Sequence, residues 1–366
     1  MSTQALFSQH NLGLECLKNR LVVAPMTRVS ATEDGVAGDR MKHYYEDFAR
    51  GGFAMVITEG IYIDEKWSQT YAYQAGIVNS IQAAAWRKIT DAVHAQGGKI
   101  IAQIQHSGAL SQGNYYREGT VAPSAVQPVG EQLTFYRGEG CYPVPRALAD
   151  EEIQDIIRSF ADAAERAITE SGFDGVEIHG ANGYLLDQFL TRPTNLREDK
   201  WGGDTAGRMT LSLEVIKAVR VRLGDDATVG IRISQGKVNN FHHKWEQGED
   251  DAKVVFTSLN NSGVSYIHVT EYEAWKPAFE GNALSLVEMA RKYVPELTII
   301  ANGSLHNVPD AEKVLEQGAD LIALGRGALA NHDWPLRVQQ NTPLNEFDRE
   351  ILGPVADIKD RELPLI

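Results

Sequence analysis

Three hydrogen-bonding side chains follow one short apolar run of the sequence. The run ends in the stretch EIHGANGYL, where His179, Asn182 and Tyr184 lie close together. An imidazole, an amide and a phenol can each donate a hydrogen bond, so a ligand near this strand end would meet three polar groups. A single histidine at a strand end is more often structural, so the meaning of this stretch depends on the elements that position it.

Eight short runs of apolar, largely β-branched residues recur along the chain. They are LVVAPMT (21–27), AMVITEG (54–60), KIIAQIQH (99–106), GVEIHG (175–180), VGIRIS (229–234), YIHVTE (266–271), TIIANGS (298–304) and LIALGRG (321–327). Most of these runs are continuously apolar, which is typical of parallel strands that are buried on both faces.

Segments with the helical period separate these runs. In SIQAAAWRKITDAVHAQGG the period places on one side Ile81, Ala84, Ala85, Ile89, Ala92 and Val93. Strands that alternate with amphipathic helices predict an α/β fold, and eight of them favour a single (β/α)8 TIM barrel over an open sheet. We expect one domain over residues 1–366, with a capping segment after strand three at about 107–149, where Gly, Pro and aromatic residues are frequent.

Polar residues follow seven of the predicted strands. In strand order they are Thr27 and Arg28, Glu59 and Gly60, Gln103 and His106, His179, Arg232, Asn302 and Gly303, and Gly325 and Arg326. Active sites of (β/α)8 barrels lie at the C-terminal ends of the strands, so we expect these residues to share a pocket. Each one alone could instead belong to the packed barrel interior.

The ends of strands seven and eight predict a phosphate site. Gly303, Gly325 and Arg326 place bare backbone and a guanidinium where such barrels commonly bind phosphate. The stretch GRGALA also fits a loose dinucleotide-binding pattern, but no strand with a ribose-binding acid follows it. A phosphorylated cofactor is therefore the favoured ligand.

Composition and motifs narrow the class of function. The 49 acidic and 35 basic residues give a net charge of −14, which is unfavourable for nucleic acid or an anionic membrane. Cys16 and Cys141 form no metal or disulfide pattern, and HExxH, GxSxG and GxxxxGK[ST] motifs do not occur. We see no signal peptide and no apolar run of the ~20 residues that a membrane helix needs, and we expect a cytoplasmic protein without a bound metal.

Four stretches of the chain resemble one known family. APMTR, AQIQH, HGANGYLLDQFLTRPTNLREDKWGG and GRGALAN are similar to the old yellow enzyme family of FMN-dependent ene-reductases, over residues 6–340 or so. The resemblance implies non-covalent FMN, NADPH or NADH as reductant, a small-molecule alkene as substrate, and a monomer or small homo-oligomer. It implies cofactor contacts at Pro25, Met26, Thr27, Gly60, Gln103, Arg232, Gly303, Gly325 and Arg326.

The same resemblance assigns the substrate side of the site. It implies that His179 and Asn182 bind the oxygen of an activated alkene and that Tyr184 protonates Cα, while Tyr71 and Gln105 line the substrate pocket. Trp201 and Gly207 depart from the family pattern, which leaves the helix entry after strand four open. Alternatives on the same barrel are an amine dehydrogenase or demethylase, a nitroester or xenobiotic reductase, and a barrel kept for binding alone.

Overall fold

All eight predicted strands are present and close into one parallel barrel. The computed structural model describes residues 3–363. The strands are β1 Leu21–Val23, β2 Met55–Ile57, β3 Lys99–Gln105, β4 Gly175–Asn182, β5 Thr228–Lys237, β6 Tyr266–Thr270, β7 Thr298–Asn302 and β8 Leu321–Leu324. Neighbouring strands pair in the order β2, β1, β8, β7, β6, β5, β4, β3, and the pairing of β2 with β3 closes the ring. The prediction of a closed (β/α)8 barrel is confirmed.

Helices surround the barrel. Within residues 3–363 they are α1 Asp39–Arg50, α2 Ser80–Ala95, α3 Asp150–Thr169, α4 Leu185–Leu190, α5 Thr205–Arg208, α6 Thr210–Leu223, α7 Glu249–Asn260, α8 Leu286–Tyr293, α9 Val308–Glu316, α10 Arg326–Ala330 and α11 Trp334–Gln339. The helix α2 is capped by Asn79, whose side chain accepts hydrogen bonds from the backbone N–H groups of Ile81 and Gln82. None of the described helices is both long and apolar enough to cross a lipid bilayer.

The buried face of α2 differs in part from the prediction. Ala85, Ile89 and Val93 are buried as expected, but Ile81 is 71% exposed and Ala84 is exposed too. The buried face of α2 includes Trp86 instead of Ile81. Trp86 is fully buried and donates its indole N–H to the carbonyl of Gly76 at 3.1 Å. Burying this large ring outweighs burying Ile81, because the area removed from water is greater.

The N-terminal end of the barrel is closed by apolar side chains. A hairpin of two short strands, His10–Leu12 and Glu15–Leu17, inserts Leu12 and Leu17 there. The two leucines pack in a buried cluster with residues from the barrel interior, among them Val22, Met55, Ile101, Tyr266, Ile300 and Leu321. Because apolar side chains fill the N-terminal end, a ligand of the barrel is expected at the C-terminal end.

The segment predicted as a cap contains some regular structure. Short strands Val121–Ala122 and Arg146–Ala147 pair in parallel, and 3-10 turns form at Gly108–Leu110 and Thr134–Tyr136. The helix entry after β4 depends on Gly207, because a Cβ there would lie 2.2 Å from the carbonyl oxygen of Gly202. The departure noted at Gly207 thus reflects a close backbone approach.

Candidate active site

A cavity of about 590 Å³ opens at the C-terminal end of the barrel. Its size is typical of sites for cofactors and small molecules. Of the predicted site residues, those that line it are Pro25, Met26, Thr27, Tyr71, Gln103, Gln105, His179, Asn182, Tyr184, Arg232, Gly303, Gly325 and Arg326. Residues far apart in sequence are brought together here because the strands are parallel and end at the same face of the barrel.

Of the residues expected at the strand ends, Glu59, His106 and Gly60 do not line this cavity. Glu59 accepts hydrogen bonds from the Tyr45 hydroxyl and the Arg28 backbone, and His106 Nδ1 accepts from the N–H of Gly108. Gly60 lies against Gln105, whose amide oxygen would be 1.7 Å from an added Cβ. The expectation of one shared pocket is wrong for the side chains of Glu59 and His106, since successive residues point to opposite faces of a strand. The cofactor role of Gly60 stays a prediction.

A strained turn carries Asn182 and Tyr184 into the cavity. Asn182 and Gly183 both have positive φ, at 61° and 88°. The N–H of Asn182 donates to Ser234 Oγ at 2.8 Å, and its carbonyl accepts from the N–H of Val238 at 3.0 Å. The N–H of Gly183 donates to an oxygen of Asp187 at 2.6 Å. These bonds to β5 and α4 maintain a conformation that costs a non-glycine residue about 1–3 kcal/mol.

A buried ion pair supports the same turn. Both oxygens of Asp187 accept from Lys237 Nζ at 2.8 Å, and the two side chains are 0% and 7% exposed. Neither residue was among the predicted site residues. Lys237 lies at the end of β5. A lysine that directly follows an apolar strand is the only feature of the sequence that could have pointed to this ion pair.

His179 presents a neutral ring with no internal partner. Its Nδ1 is buried and makes no hydrogen bond to any other residue between 3 and 363. Burial, reinforced by the nearby charges of Arg232 and His268, lowers the pKa of His179 well below its ordinary value. The imidazole is therefore uncharged at neutral pH. The side-chain amide of Asn182 likewise forms no bond within the described chain, so both groups are free to bind a ligand oxygen.

Tyr184 is a buried phenol with an unusually high pKa. Burial raises its pKa to about 12, although the hydrogen bond to Tyr71 and the charge of Arg232 oppose the change. Its ring meets that of His179 edge-on, with the centroids 5.1 Å apart. A phenol that stays protonated at neutral pH is suited to act as a general acid.

Arg232 is the buried cation of the cavity. Nη2 donates to Asn302 Oδ1 at 2.8 Å, while Nε is buried without a partner among the described residues. Burial lowers the pKa of Arg232 to about 10, which leaves it charged at neutral pH. An anionic or carbonyl edge of a ligand would satisfy the free N–H.

A buried hydrogen-bond network centred on Glu177 orients Gln103. Glu177 is not among the predicted site residues. One carboxylate oxygen accepts from Gln103 Nε2 at 2.8 Å, and the other accepts from the hydroxyl of Tyr266 at 3.1 Å and lies 2.9 Å from His268 Nδ1. Burial favours the neutral acid, but His268, Arg232 and Gln103 outweigh it and lower the pKa of Glu177. One N–H of the Gln103 amide is thus committed to Glu177, and the side chain lines the cavity. The acidic residue within the otherwise apolar run GVEIHG is the sequence feature that could have revealed this buried network.

Gly303, Gly325 and Arg326 lie together at the ends of β7 and β8. Gly303 has φ 144°, and a Cβ there would be 2.2 Å from the carbonyl oxygen of Glu271. The exposed guanidinium of Arg326 donates to Ser304 Oγ at 2.8 Å. Bare backbone beside an accessible guanidinium fits a phosphate.

The outer wall of the cavity is largely apolar and comes from two segments remote in sequence. The cap supplies Leu133, Phe135 and Tyr136, and the C-terminal segment supplies Phe347 and Leu352. The resemblance ended near residue 340, so the contribution of the C-terminal segment was missed. Together these half-buried residues form an apolar wall beside the polar floor of the site.

The residues present fit FMN. Arg232 offers an unpaired N–H for the ring, Gln103 offers a polar amide, and Gly303, Gly325 and Arg326 offer a phosphate site within the same cavity. The free imidazole and amide next to a phenol add a site for an oxygen that gains negative charge, with an acid beside it.

Residues 5–345 match the NADH:flavin oxidoreductase / NADH oxidase family. The chain is 36% identical over 343 residues to a protein from Leishmania infantum named a probable flavin mononucleotide-dependent alkene reductase, covering 91% of this chain and 89% of that one. It is 33% identical over 350 residues to 12-oxophytodienoate reductase 2 of Arabidopsis thaliana, covering 94% and 91%.

Solved structures show the same likeness. The old yellow enzyme homologue from Zymomonas mobilis superimposes with a TM-score of 0.88 at 30% identity, covering 99% of this chain and 100% of that chain. Morphinone reductase in complex with tetrahydroNAD gives 0.82 at 33% identity, covering 95% and 94%. The chain belongs to this family of FMN-dependent oxidoreductases, and the predicted resemblance to old yellow enzymes is confirmed.

Proposed function

We propose that this protein reduces carbon–carbon double bonds conjugated to a carbonyl or nitro group, using NADPH or NADH and non-covalently bound FMN. One observation carries the proposal: His179, Asn182 and Tyr184 face a single cavity, and the imidazole and amide lack partners within the described chain. The names of its relatives, which include an alkene reductase and an oxophytodienoate reductase, support the same chemistry.

The cofactor-binding residues proposed from the sequence keep their roles. Pro25, Met26 and Thr27 would lie beside the ring, Gly60 and Gln103 would contact its pyrimidine side, and Arg232 would face its N1–C2 edge. Gly303, Gly325 and Arg326 would bind the phosphate. Bound FMN supplies hydride transfer between the nicotinamide and the alkene.

The remaining residues act on the substrate. His179 and Asn182 donate hydrogen bonds to the oxygen of the conjugated group, which lowers the energy of the enolate-like charge that forms there. Tyr184 gives its proton to Cα. Tyr71 and Gln105 shape the pocket, and the aromatic wall excludes water, which strengthens these hydrogen bonds.

We also propose that residues 1–366 form one FMN-binding domain, that the protein is cytoplasmic, and that it is a monomer or small homo-oligomer without a nucleic-acid partner. The closed sheet supports the first point, the free cysteines Cys16 and Cys141 support the second, and the net charge of −14 opposes nucleic acid. Light scattering would give the oligomeric state.

The test is turnover by the purified protein together with analysis of what it binds. We expect a yellow preparation that releases FMN on denaturation. In the absence of oxygen, the protein should oxidise NADPH or NADH only when an activated alkene, such as cyclohexenone or a nitroalkene, is added. Release of FAD, or no alkene reduction by protein fully loaded with FMN, would contradict the proposal.

A further inference from the structure

The hydroxyl of Tyr184 has one hydrogen-bond partner among residues 3–363, the hydroxyl of Tyr71. The two oxygens are 2.7 Å apart, and both side chains are buried and line the cavity. A hydroxyl carries one hydrogen, so one of the two phenols is the donor in this bond. The direction of donation decides which phenol keeps a hydrogen for a ligand.

Tyr71 is held firmly in place. Its ring lies against that of Tyr136, with the centroids 4.2 Å apart, and the Tyr136 hydroxyl donates to the carbonyl of Thr27 at 2.9 Å. Within the described chain the Tyr71 hydroxyl has no acceptor other than Tyr184. If Tyr71 donates, the Tyr184 hydrogen is free to reach a substrate. If Tyr184 donated instead, that hydrogen would be turned away from the substrate.

We propose that Tyr71 is a positioning residue that donates its hydroxyl hydrogen to Tyr184 and stabilises the phenolate that Tyr184 becomes when it protonates the substrate. This inference rests on the proposed function. Hydride from the reduced cofactor forms the Cβ–H bond, the π electron pair moves toward Cα and the conjugated group, and the Tyr184 proton forms the Cα–H bond. The charge left on the Tyr184 oxygen is met by the Tyr71 hydrogen, and solvent returns the proton after the product leaves.

The other charged and titratable groups near Tyr184 do not replace this donor. They are Arg232 on β5, His179 on β4, and Tyr136 and Tyr142 on the cap. Arg232 donates its hydrogen bonds to Thr270 and Asn302, and the hydroxyl of Tyr142 donates to Gln112. An unpaired phenolate in this buried site would be costly, so a single donor has a large effect.

The first test measures the acidity of residue 184 directly and needs no turnover. With 3,5-difluorotyrosine incorporated at position 184, ¹⁹F NMR follows its ionisation in the Tyr71 protein and in the Tyr71→Phe variant. Loss of a donor to the phenolate should raise the pKa by roughly one to two pH units, the effect of one hydrogen bond to a charged group. An unchanged or lowered pKa would overturn the inference, whether or not the protein reduces alkenes.

The second test asks whether Tyr71 acts through Tyr184. With cyclohexenone, Tyr71→Phe should slow substrate reduction roughly 10- to 100-fold and leave reduction of the flavin by nicotinamide unchanged. In a Tyr184→Phe background the same change should cost nothing further, because the two residues act as a unit. Losses that multiply would overturn the inference.

A matched control is Tyr142→Phe. Tyr142 packs in one buried cluster with Tyr184, but its hydroxyl bonds Gln112 at 3.4 Å and makes no bond to Tyr184. This variant removes a phenolic hydroxyl next to Tyr184 and keeps the ring. It should retain both the ionisation of residue 184 and the rate of the parent. If it changes them as much as Tyr71→Phe does, the effect of Tyr71 is general packing and the inference fails.

Discussion

In the reaction that we propose, Tyr184 meets two opposing demands in a buried site. It must stay protonated until the substrate arrives, which burial ensures by raising its pKa to about 12. It must then become an anion, which the same burial opposes. The hydrogen bond from Tyr71 and the positive charge of Arg232 both favour the anion. The environment of one residue thus sets when the proton moves.

We expect Tyr184→Phe to separate the two half-reactions. Reduction of cyclohexenone should slow by roughly 10²–10⁴-fold, the usual value of a general acid, while flavin reduction by nicotinamide stays as in the parent. Stopped-flow absorbance measures each step. Nitroalkenes form a more stable carbanion that water can protonate, so their reduction should be less sensitive. Equal losses with both acceptors would mean that Tyr184 positions the substrate and another group supplies the proton.

At the scale of elements, the site depends on the junction of β4, α4 and β5. The two consecutive residues with positive φ, Asn182 and Gly183, connect a strand to a helix without a loop. The ion pair between Lys237 of β5 and Asp187 of α4 ties the three elements together, and Asp187 also accepts from the N–H of Gly183. The conformation of the turn at Asn182 is therefore tied to a charge that lies outside the proposed oxygen-binding site.

Lys237→Met should disturb this orientation while keeping the side-chain volume. Asp187 would be left as an unpaired buried acid, and we expect the free energy of unfolding to fall by about 3–5 kcal/mol. Phenols should bind the FMN-loaded parent at His179 and Asn182 and give a long-wavelength charge-transfer band. In the variant we expect their affinity to fall about tenfold, the size of one neutral hydrogen bond.

The control for Lys237→Met is Arg291→Met. Arg291 pairs with Asp320 at 2.5 Å beside the start of β8, at the opposite end of the barrel. This variant should also lose stability, but phenol affinity measured by the same titration should not change. Parent-like phenol affinity in Lys237→Met would show that the ion pair does not position the turn.

At the scale of the whole molecule, the segment that follows β1 meets the C-terminal segment beside the cavity. Arg28, just after β1, is fully buried and donates to both carboxylate oxygens of Glu362 and to the carbonyls of Ala356 and Asp357. The N–H of Ala356 also donates to the carbonyl of Phe135 in the cap. The C-terminal segment is thereby fixed to both the barrel and the cap.

Glu362→Gln should destabilise the fold by about 3–5 kcal/mol, because it leaves the Arg28 guanidinium buried without its counter-charge. Urea denaturation followed by fluorescence gives the free energy of unfolding. The control is Asp360→Asn, since Asp360 lies with Glu362 in the 3-10 turn Asp360–Glu362 but is mostly exposed and pairs with Arg40 at the surface. We expect it to cost at most about 1 kcal/mol. Equal losses in the two variants would contradict a structural role for the buried pair.

The sequence by itself determined the barrel and most of the floor of the site. Continuous apolar runs separated by helical periods require parallel strands, and parallel strands in a closed sheet bring Thr27, His179 and Arg232 to one face whatever the loops do. The same logic failed at Glu59 and His106, because the direction of a side chain near a strand end depends on where the strand stops.

The tertiary structure alone decided the contacts between loops. Tyr71 and Tyr184 are 113 positions apart, and Arg28 and Glu362 are 334 apart. No period in the sequence relates such pairs, since loop residues follow neither the strand nor the helix repeat and take their partners from packing. Contacts of this kind place Tyr71 beside Tyr184, support the turn at Asn182 through Lys237 and Asp187, and build the apolar wall of the cavity.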